Sequence, residues 1–366
     1  MNKKLVALAV AGVLSAPLAA QAQTANVTLY GRLNLTLEAV QLGSSSQENW
    51  IYRVSSNSSR LGVRGTESLG GGLNAIFQIE SSISGDAGGG TLAGRDTYVG
   101  LQGGWGTVKI GNFLAPYDDI HPIFGNVPTL TTSILSTAAL WANAPSSKAQ
   151  GGFDARLGNS VRYDSPNFSG FTGSIQASTS ENTTHGMVYS MGGFYNAGPL
   201  QAGLAWEHNQ SVRGAGLKDD AISVAGKWNF GVASVGGVYE RLDYDAASGG
   251  SLKRDFFGVS GTFNLGPGQL YAAWLRAEEG KGSAADGTQI GGTVKGNDTG
   301  ADEYTVSYTY PLSKRTLTYV GYVRVDNDNN ARYTFNINPL NQSAVTGGLS
   351  MQGKPQGVVA GIVHFF

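Results

Sequence analysis

The stretch that decides the fold is Val27-Thr-Leu-Tyr-Gly-Arg-Leu-Asn-Leu-Thr-Leu-Glu38. Apolar residues or glycine occupy every second position from Val27 to Leu37, and polar or aromatic side chains lie between them. Because successive side chains of a β-strand point to opposite faces, this alternation predicts a strand with one apolar and one polar face. A soluble β-sandwich would alternate in the same way, so one strand alone does not identify what covers the apolar face.

The same kind of alternation recurs along the chain. Most of the segments have about a dozen residues, whereas strands of soluble sheets typically have about five or six. Strands of the greater length suit a tilted crossing of a membrane. Sixteen strands are predicted, at 26–41, 48–66, 72–84, 93–104, 105–112, 158–166, 169–181, 185–197, 198–209, 217–230, 231–245, 252–265, 267–280, 300–311, 315–327 and 355–366.

The connections between the predicted strands alternate in length. After even-numbered strands they are short and rich in turn-forming residues, as at Gly103-Gly104 and Gly266-Pro-Gly268. After several odd-numbered strands they are long and polar, as at 113–157, 281–299 and 328–354. This pattern is typical of an outer-membrane barrel with periplasmic turns and extracellular loops. We therefore predict an all-β, sixteen-stranded antiparallel transmembrane β-barrel whose last strand pairs with its first.

The long connection at 113–157 is expected to have a function of its own. It shows no sustained alternation, and a connection of this length without regular structure is rare in a compact domain unless it is functional. Inside a large barrel it would narrow the lumen. We predict that it folds inward as a constriction loop.

Residues 1–22 have the features of a secretory signal peptide. Asn2-Lys3-Lys4 supplies positive charge, Leu5 to Leu18 an apolar core, and Ala20-Gln21-Ala22 a cleavage pattern. Cleavage after Ala22 would leave 23–366 as the mature barrel and change the formal charge from −1 to −3, because two lysines are lost. We expect export to the outer membrane of a Gram-negative bacterium.

Composition excludes several other functions. The balance of 25 basic and 26 acidic residues gives no cationic surplus for binding nucleic acid. A chain without cysteine has neither a disulfide scaffold nor thiol catalysis. No Gly-x-Ser-x-Gly or phosphate-loop motif is present. We expect a protein that is not an enzyme and that has no catalytic residue and no cofactor.

Metal binding is not expected from the sequence either. Its four histidines, His121, His185, His208 and His364, have no zinc-site spacing. The acidic segment 326–330 lacks the sixth-position glycine and the closing glutamate of a calcium loop. Such a segment would suit contact with lipopolysaccharide through divalent cations.

Six segments together carry a family resemblance: 27–31, 59–73, 98–101, 163–171, 310–316 and 361–366. They are similar, in the same order, to segments of the general porins of β-proteobacteria. The resemblance implies an outer-membrane homotrimer through which ions and small hydrophilic solutes diffuse. It also implies that the third extracellular loop forms the constriction and that the outer-membrane assembly machinery recognises Phe366.

Strand parity predicts which charges face the lumen, because a charge facing lipid at the bilayer midplane costs about 2–4 kcal/mol. Resemblance to anion-selective porins places Arg60, Arg95 and Arg156 in a basic ladder. Arg95 shares the parity of the lipid-facing Val99 and Leu101, so it needs a bulge or a loop position to reach the lumen. The predicted basic residues of the pore are Arg53, Arg60, Arg64, Arg95, Lys109, Arg156 and Arg162, and the predicted acidic residues are Glu80, Asp118 and Asp119.

The sequence therefore favours a passive diffusion porin with a preference for anions, and two alternatives stay open. A substrate-selective porin for organic anions would differ in how tightly the arginines and the 113–157 loop pack. A barrel-anchored adhesin or surface enzyme would need very long ordered loops or a catalytic constellation.

Overall fold

The structure is a computed structural model that describes residues 26–43, 50–130, 132–144, 147–181, 186–339 and 352–366. The predicted signal peptide, 1–22, and His185 lie outside these residues. Within the described parts, no helix is long and apolar enough to span a membrane.

Sixteen antiparallel strands form one closed barrel in the described residues, which confirms the predicted fold. The bounds of most strands differ from the predicted bounds by only a few residues. The strands are β1 (Asn26–Gln41), β2 (Ile51–Ser56 and Arg60–Gly70), β3 (Leu73–Ser82), β4 (Thr97–Gly103), β5 (Gly106–Leu114), β6 (Arg156–Asp164), β7 (Phe171–Thr179), β8 (Met187–Ala197), β9 (Leu200–Gln210), β10 (Lys218–Asn229), β11 (Ala233–Asp245), β12 (Ser251–Leu265), β13 (Gly268–Ala277), β14 (Ala301–Pro311), β15 (Thr316–Asn327) and β16 (Gln356–Phe365).

The barrel closes between its first and last strands. β1 pairs with β16 from Arg32 opposite Phe365 to Gln41 opposite Gln356. Beyond this ladder, the amides and carbonyls of Gly31 and Phe366 exchange two hydrogen bonds, at 3.0 and 3.2 Å. Because an unpaired backbone group in hydrocarbon costs several kcal/mol, this seam is required for the sheet to lie in a membrane.

Strand β2 differs from its prediction, because it is interrupted where one continuous strand over 48–66 was expected. Its two segments both pair with β1, on either side of residues 57–59. Ser58 has a left-handed backbone there, with φ of 52°. The break aligns Ser59 with Asn34, and the backbone N–H of Asn34 donates to Ser59 Oγ at 2.9 Å. A hydrogen bond to a side chain thus replaces a backbone hydrogen bond of the β1–β2 pairing at this point.

The two faces of the sheet are inverted relative to a soluble barrel. On β1, Leu29 and Leu37 are 62% and 67% exposed, whereas Asn34 and Glu38 are 0% and 3% exposed. The apolar face therefore points outward to lipid and the polar face points into the lumen, as the alternation predicts.

We predict that a charge on the outer face destabilises the barrel according to its depth. Val259 and Leu265 lie on one face of β12 and are 53% and 52% exposed, but Val259 is near the middle of the strand and Leu265 is its last residue. Val259→Arg should lower the free energy of unfolding by about 2–4 kcal/mol and Leu265→Arg by about 0–1 kcal/mol. Urea unfolding in lipid vesicles measures both, and equal losses would contradict this orientation.

Candidate functional site

The segment between β5 and β6, residues 115–155 and here called the inner loop, lies inside the barrel. Its described residues form short helices, among them Pro116–Ile120 and His121–Phe124, and the turn Trp141–Asn143. Tyr117, Phe124, Trp141 and Phe153 are at most 1% exposed. They pack with lumen-facing side chains of the wall, such as Phe256, whose ring stacks on Trp141 at 5.8 Å.

Glycines of the wall let the inner loop lie close to the backbone of the strands. A Cβ atom at Gly203 would lie 2.8 Å from Ile123 Cδ1, and one at Gly321 would lie 2.6 Å from Leu135 Cδ1. A side chain at either position would therefore require Ile123 or Leu135 to shift. The wall glycines whose added Cβ atom would lie within 3.2 Å of the inner loop belong to β8, β9, β12, β15 and β16, and they are Gly192, Gly203, Gly258, Gly321 and Gly357.

A buried carboxylate on β11 fixes two parts of the inner loop to the wall. Glu240 accepts hydrogen bonds from the Tyr117 hydroxyl at 2.5 Å and from the Ala142 amide at 3.0 Å. Arg254 on β12 donates to the same carboxylate at 2.9 Å, and neither charged side chain is exposed. A buried carboxylate is stable only when it is paired and hydrogen-bonded, and these three contacts meet that requirement.

A second charged contact fixes the start of the inner loop. Arg162 on β6 forms ion pairs with Asp119 of the loop and, at 2.7 Å, with Asp164 of its own strand. Lys109 on β5 lies 3.2 Å from Asp164. Arg162 therefore holds the loop against the wall through Asp119, and Lys109 shares the carboxylate of Asp164.

The long connection between β13 and β14 contacts the inner loop at Asn143. Asn143 donates to the Ile290 carbonyl at 2.9 Å and accepts from the Gly292 amide at 2.9 Å. Ile290 belongs to a two-residue hairpin strand that the sequence analysis did not identify. The inner loop at Asn143 is thus packed against the 278–300 connection.

The predicted Arg60 and Arg95 meet around one carboxylate of the wall, and Arg156 lies beside Arg95. Arg95 Nε donates to Glu80 at 2.6 Å, and an Arg60 nitrogen lies 3.7 Å from the same carboxylate. Arg32 is paired directly opposite Arg60 across the β1–β2 ladder. Arg156 Nε donates to Asp96 at 2.6 Å, next to Arg95 in the chain.

The structure resolves the position of Arg95. The residue precedes β4, so strand parity does not apply to it, and its side chain reaches the lumen-facing Glu80. Its amide also donates to the Glu80 carbonyl at 3.0 Å. The loop position that the sequence analysis required is the one observed.

The other predicted charges have partners other than Glu80 and Asp96. The Arg64 guanidinium packs on the Tyr30 ring at 4.9 Å, and Arg53 pairs with Glu38 at 2.6 Å. Asp118 lies inside the inner loop, where it is buried and its Oδ2 accepts from the Ala115 amide at 3.2 Å. It does not face the arginines.

The sequence analysis missed Arg32, Asp96 and Glu240. Arg32 lies on the polar face of the first strand, so strand parity predicts that its side chain faces the lumen. Parity does not predict that Arg32 lies next to Arg60. Asp96 and Glu240 act through contacts with residues 60 and 123 positions away, respectively. No local pattern signals such partners.

Comparisons with known proteins agree with this architecture. The family model described as Gram-negative porin matches residues 6–330. Outer membrane porin protein 32 of Delftia acidovorans is 28% identical, and the alignment covers all of both chains. The major outer membrane protein P.IB of Neisseria sicca is 30% identical over 87% of this chain and 92% of its own length.

Solved structures share the fold. The anion-selective porin from Comamonas acidovorans superposes with a TM-score of 0.75 at 24% identity and covers 93% of this chain and 100% of its own. OmpT of Vibrio cholerae in its trimer form gives a TM-score of 0.66 at 15% identity, over 93% and 99% of the two chains. With the barrel geometry and the family match, we conclude that the chain belongs to the Gram-negative porin family and forms a non-enzymatic channel in the outer membrane.

Proposed function

We propose that this porin prefers anions because of the arginine group on the wall of β1 to β6. The group comprises five arginines, and the carboxylates that contact them are Glu80 and Asp96. The surplus is three positive charges at neutral pH. The five are Arg32, Arg60, Arg64, Arg95 and Arg156. This surplus is the observation that carries the proposal.

The mechanism is electrostatic. A row of guanidinium groups raises the local concentration of anions in a water-filled pore, and the low-dielectric wall focuses its field. An ion 4 Å from one unit charge in water has an interaction energy of about 1 kcal/mol. Several such groups together shift the permeability ratio severalfold toward anions. The arrangement requires no tight binding, so it suits passive diffusion of ions and small hydrophilic solutes.

We propose that the inner loop, within the predicted 113–157 segment, forms the constriction opposite these arginines. Its contacts with the wall glycines and with Glu240 support a fixed position inside the barrel. Asp119 contributes negative charge at its start. Lumenal arginines and a firmly held loop are also what a selective pore for organic anions needs, so graded solutes would distinguish that narrower function.

Four further expectations are proposals as well. We propose that residues 1–22 are cleaved as a signal peptide and that the mature chain assembles as a homotrimer, as OmpT of Vibrio cholerae does in its trimer form. We also propose that the assembly machinery recognises Phe366. Contact of the acidic outer loop at 326–330 with lipopolysaccharide through divalent cations completes the expected partners.

We predict that the arginine group sets the ion preference. In a planar bilayer under a KCl gradient, the reversal potential of the parent should indicate anion preference. Arg60→Ala with Arg156→Ala should move the permeability ratio severalfold toward unity, because two guanidinium charges are lost. The preference of the parent should also decline toward 1 M KCl, where the Debye length is about 3 Å.

Two control variants make this test specific. Arg315→Gln removes an exposed arginine from the turn between β14 and β15 and should leave the reversal potential unchanged. Glu80→Gln removes the carboxylate that Arg95 and Arg60 contact and should strengthen anion preference. Cation preference in the parent, or an equal effect of Arg315→Gln, would contradict the proposal.

We predict that Glu240 holds the inner loop in place. Glu240→Gln leaves Arg254 buried without a counter-charge, a change that costs about 3–5 kcal/mol. The free energy of unfolding should fall by that amount. Single-channel conductance should rise, because the loop is held less firmly. Tyr117→Phe, which removes one hydrogen bond to the same carboxylate, should cost about 1.5–3 kcal/mol.

An exposed pair on the same two strands is the matched control. Arg241 pairs with Asp255 at 2.7 Å, and Arg241 is more than half exposed. Asp255→Asn should change stability by no more than about 1 kcal/mol and leave conductance unaltered. Parent-like conductance and stability in Glu240→Gln would show that other contacts position the loop.

A further inference from the structure

Three side chains from the two arms of the inner loop converge inside it. Asp118 and His121 lie on its first arm, in adjoining short helices, and Asp154 lies on its last arm. One ligand atom from each lies within 4.8 Å of the others. Asp118 and His121 are 7% and 6% exposed. The group therefore joins the two arms of the loop at one nearly dry point.

One atom of this group, His121 Nε2, is buried without a hydrogen-bond partner among the described residues. The carboxyl groups of Asp118 and Asp154 lie within hydrogen-bonding reach of each other. The imidazole is held in place by stacking on Trp141, with ring centroids 4.1 Å apart and 12° between the planes. Because an unsatisfied buried polar atom costs about 1–3 kcal/mol, the geometry calls for a ligand between these side chains.

Nearby cations are already bound to other carboxylates. Lys148 contacts Glu207, and Arg156 donates to Asp96. Neither cation is therefore free to neutralise Asp118 and Asp154, and a proton or a metal ion must separate the two carboxylates.

We propose that Asp118, His121 and Asp154 bind one divalent transition-metal ion of the zinc type and thereby connect the two arms of the inner loop. One imidazole and two carboxylates form a mixed donor set that such ions accept. An ion with ligands at about 2.0–2.2 Å in tetrahedral geometry separates them by roughly 3.3–3.6 Å. The three ligand atoms, now within 4.8 Å of one another, reach this separation with side-chain shifts of about one ångström. A water molecule takes the fourth position.

Metal content and unfolding test this site without reference to ion selectivity. Folded mature protein is stripped with EDTA, dialysed with ZnCl₂ and measured by mass spectrometry for bound zinc. We expect one Zn²⁺ per chain. At about 100 times its dissociation constant, Zn²⁺ should raise the folding equilibrium constant about 100-fold relative to EDTA.

The variants His121→Gln and Asp154→Asn should each reduce zinc affinity by more than the roughly 10–100-fold that loss of an outer-shell partner causes. His364→Gln is the control, because His364 lies at the far end of β16 and contacts Thr316. It should retain the ion. A parent that keeps no zinc and unfolds identically in EDTA would show that a shared proton separates the carboxylates, and zinc retained equally by His121→Gln would show adventitious binding; either result overturns the proposal.

Discussion

The structure depends on the requirement that every backbone amide inside the bilayer has a partner. Sixteen antiparallel ladders meet this requirement only because β1 and β16 pair and the Gly31 and Phe366 backbones extend that seam by two further bonds. Closure inverts the usual arrangement of side chains, with leucines outside and carboxylates inside. It thereby creates a polar interior in which charged side chains do not face lipid.

That interior contains two electrostatic regions of different character. Around Glu240, charges are fully buried and mutually satisfied, which gives the inner loop a defined position. Around Glu80, guanidinium groups outnumber carboxylates and remain partly exposed to the lumen. The first region has no net charge left to act on a solute, whereas the second does. The first region therefore holds the inner loop in position, and the second is the one to which we assign the proposed anion preference.

The sequence predicted the barrel well because two local signals agree. Alternation with a period of two identified all sixteen strands, and the short and long connections follow the expected antiparallel order. The interior of the inner loop was not predictable in the same way. Asp118 appeared to be an acidic pore residue, yet it is buried beside His121, because the loop folds back on Asp154, 36 positions away along the sequence. Such contacts have no period and depend on the complete tertiary structure.

The glycines beneath the inner loop separate the size of the scaffold from the size of the passage. The circumference of a barrel is fixed by the number and tilt of its strands. The free cross-section here depends additionally on how far the loop stands off from the backbone, and at Gly203 and Gly321 that distance is as short as a chain without side chains allows. A larger residue at either position would require Ile123 or Leu135 to shift. Single substitutions in the wall can therefore change how the loop packs in the lumen, while strand number and register stay the same.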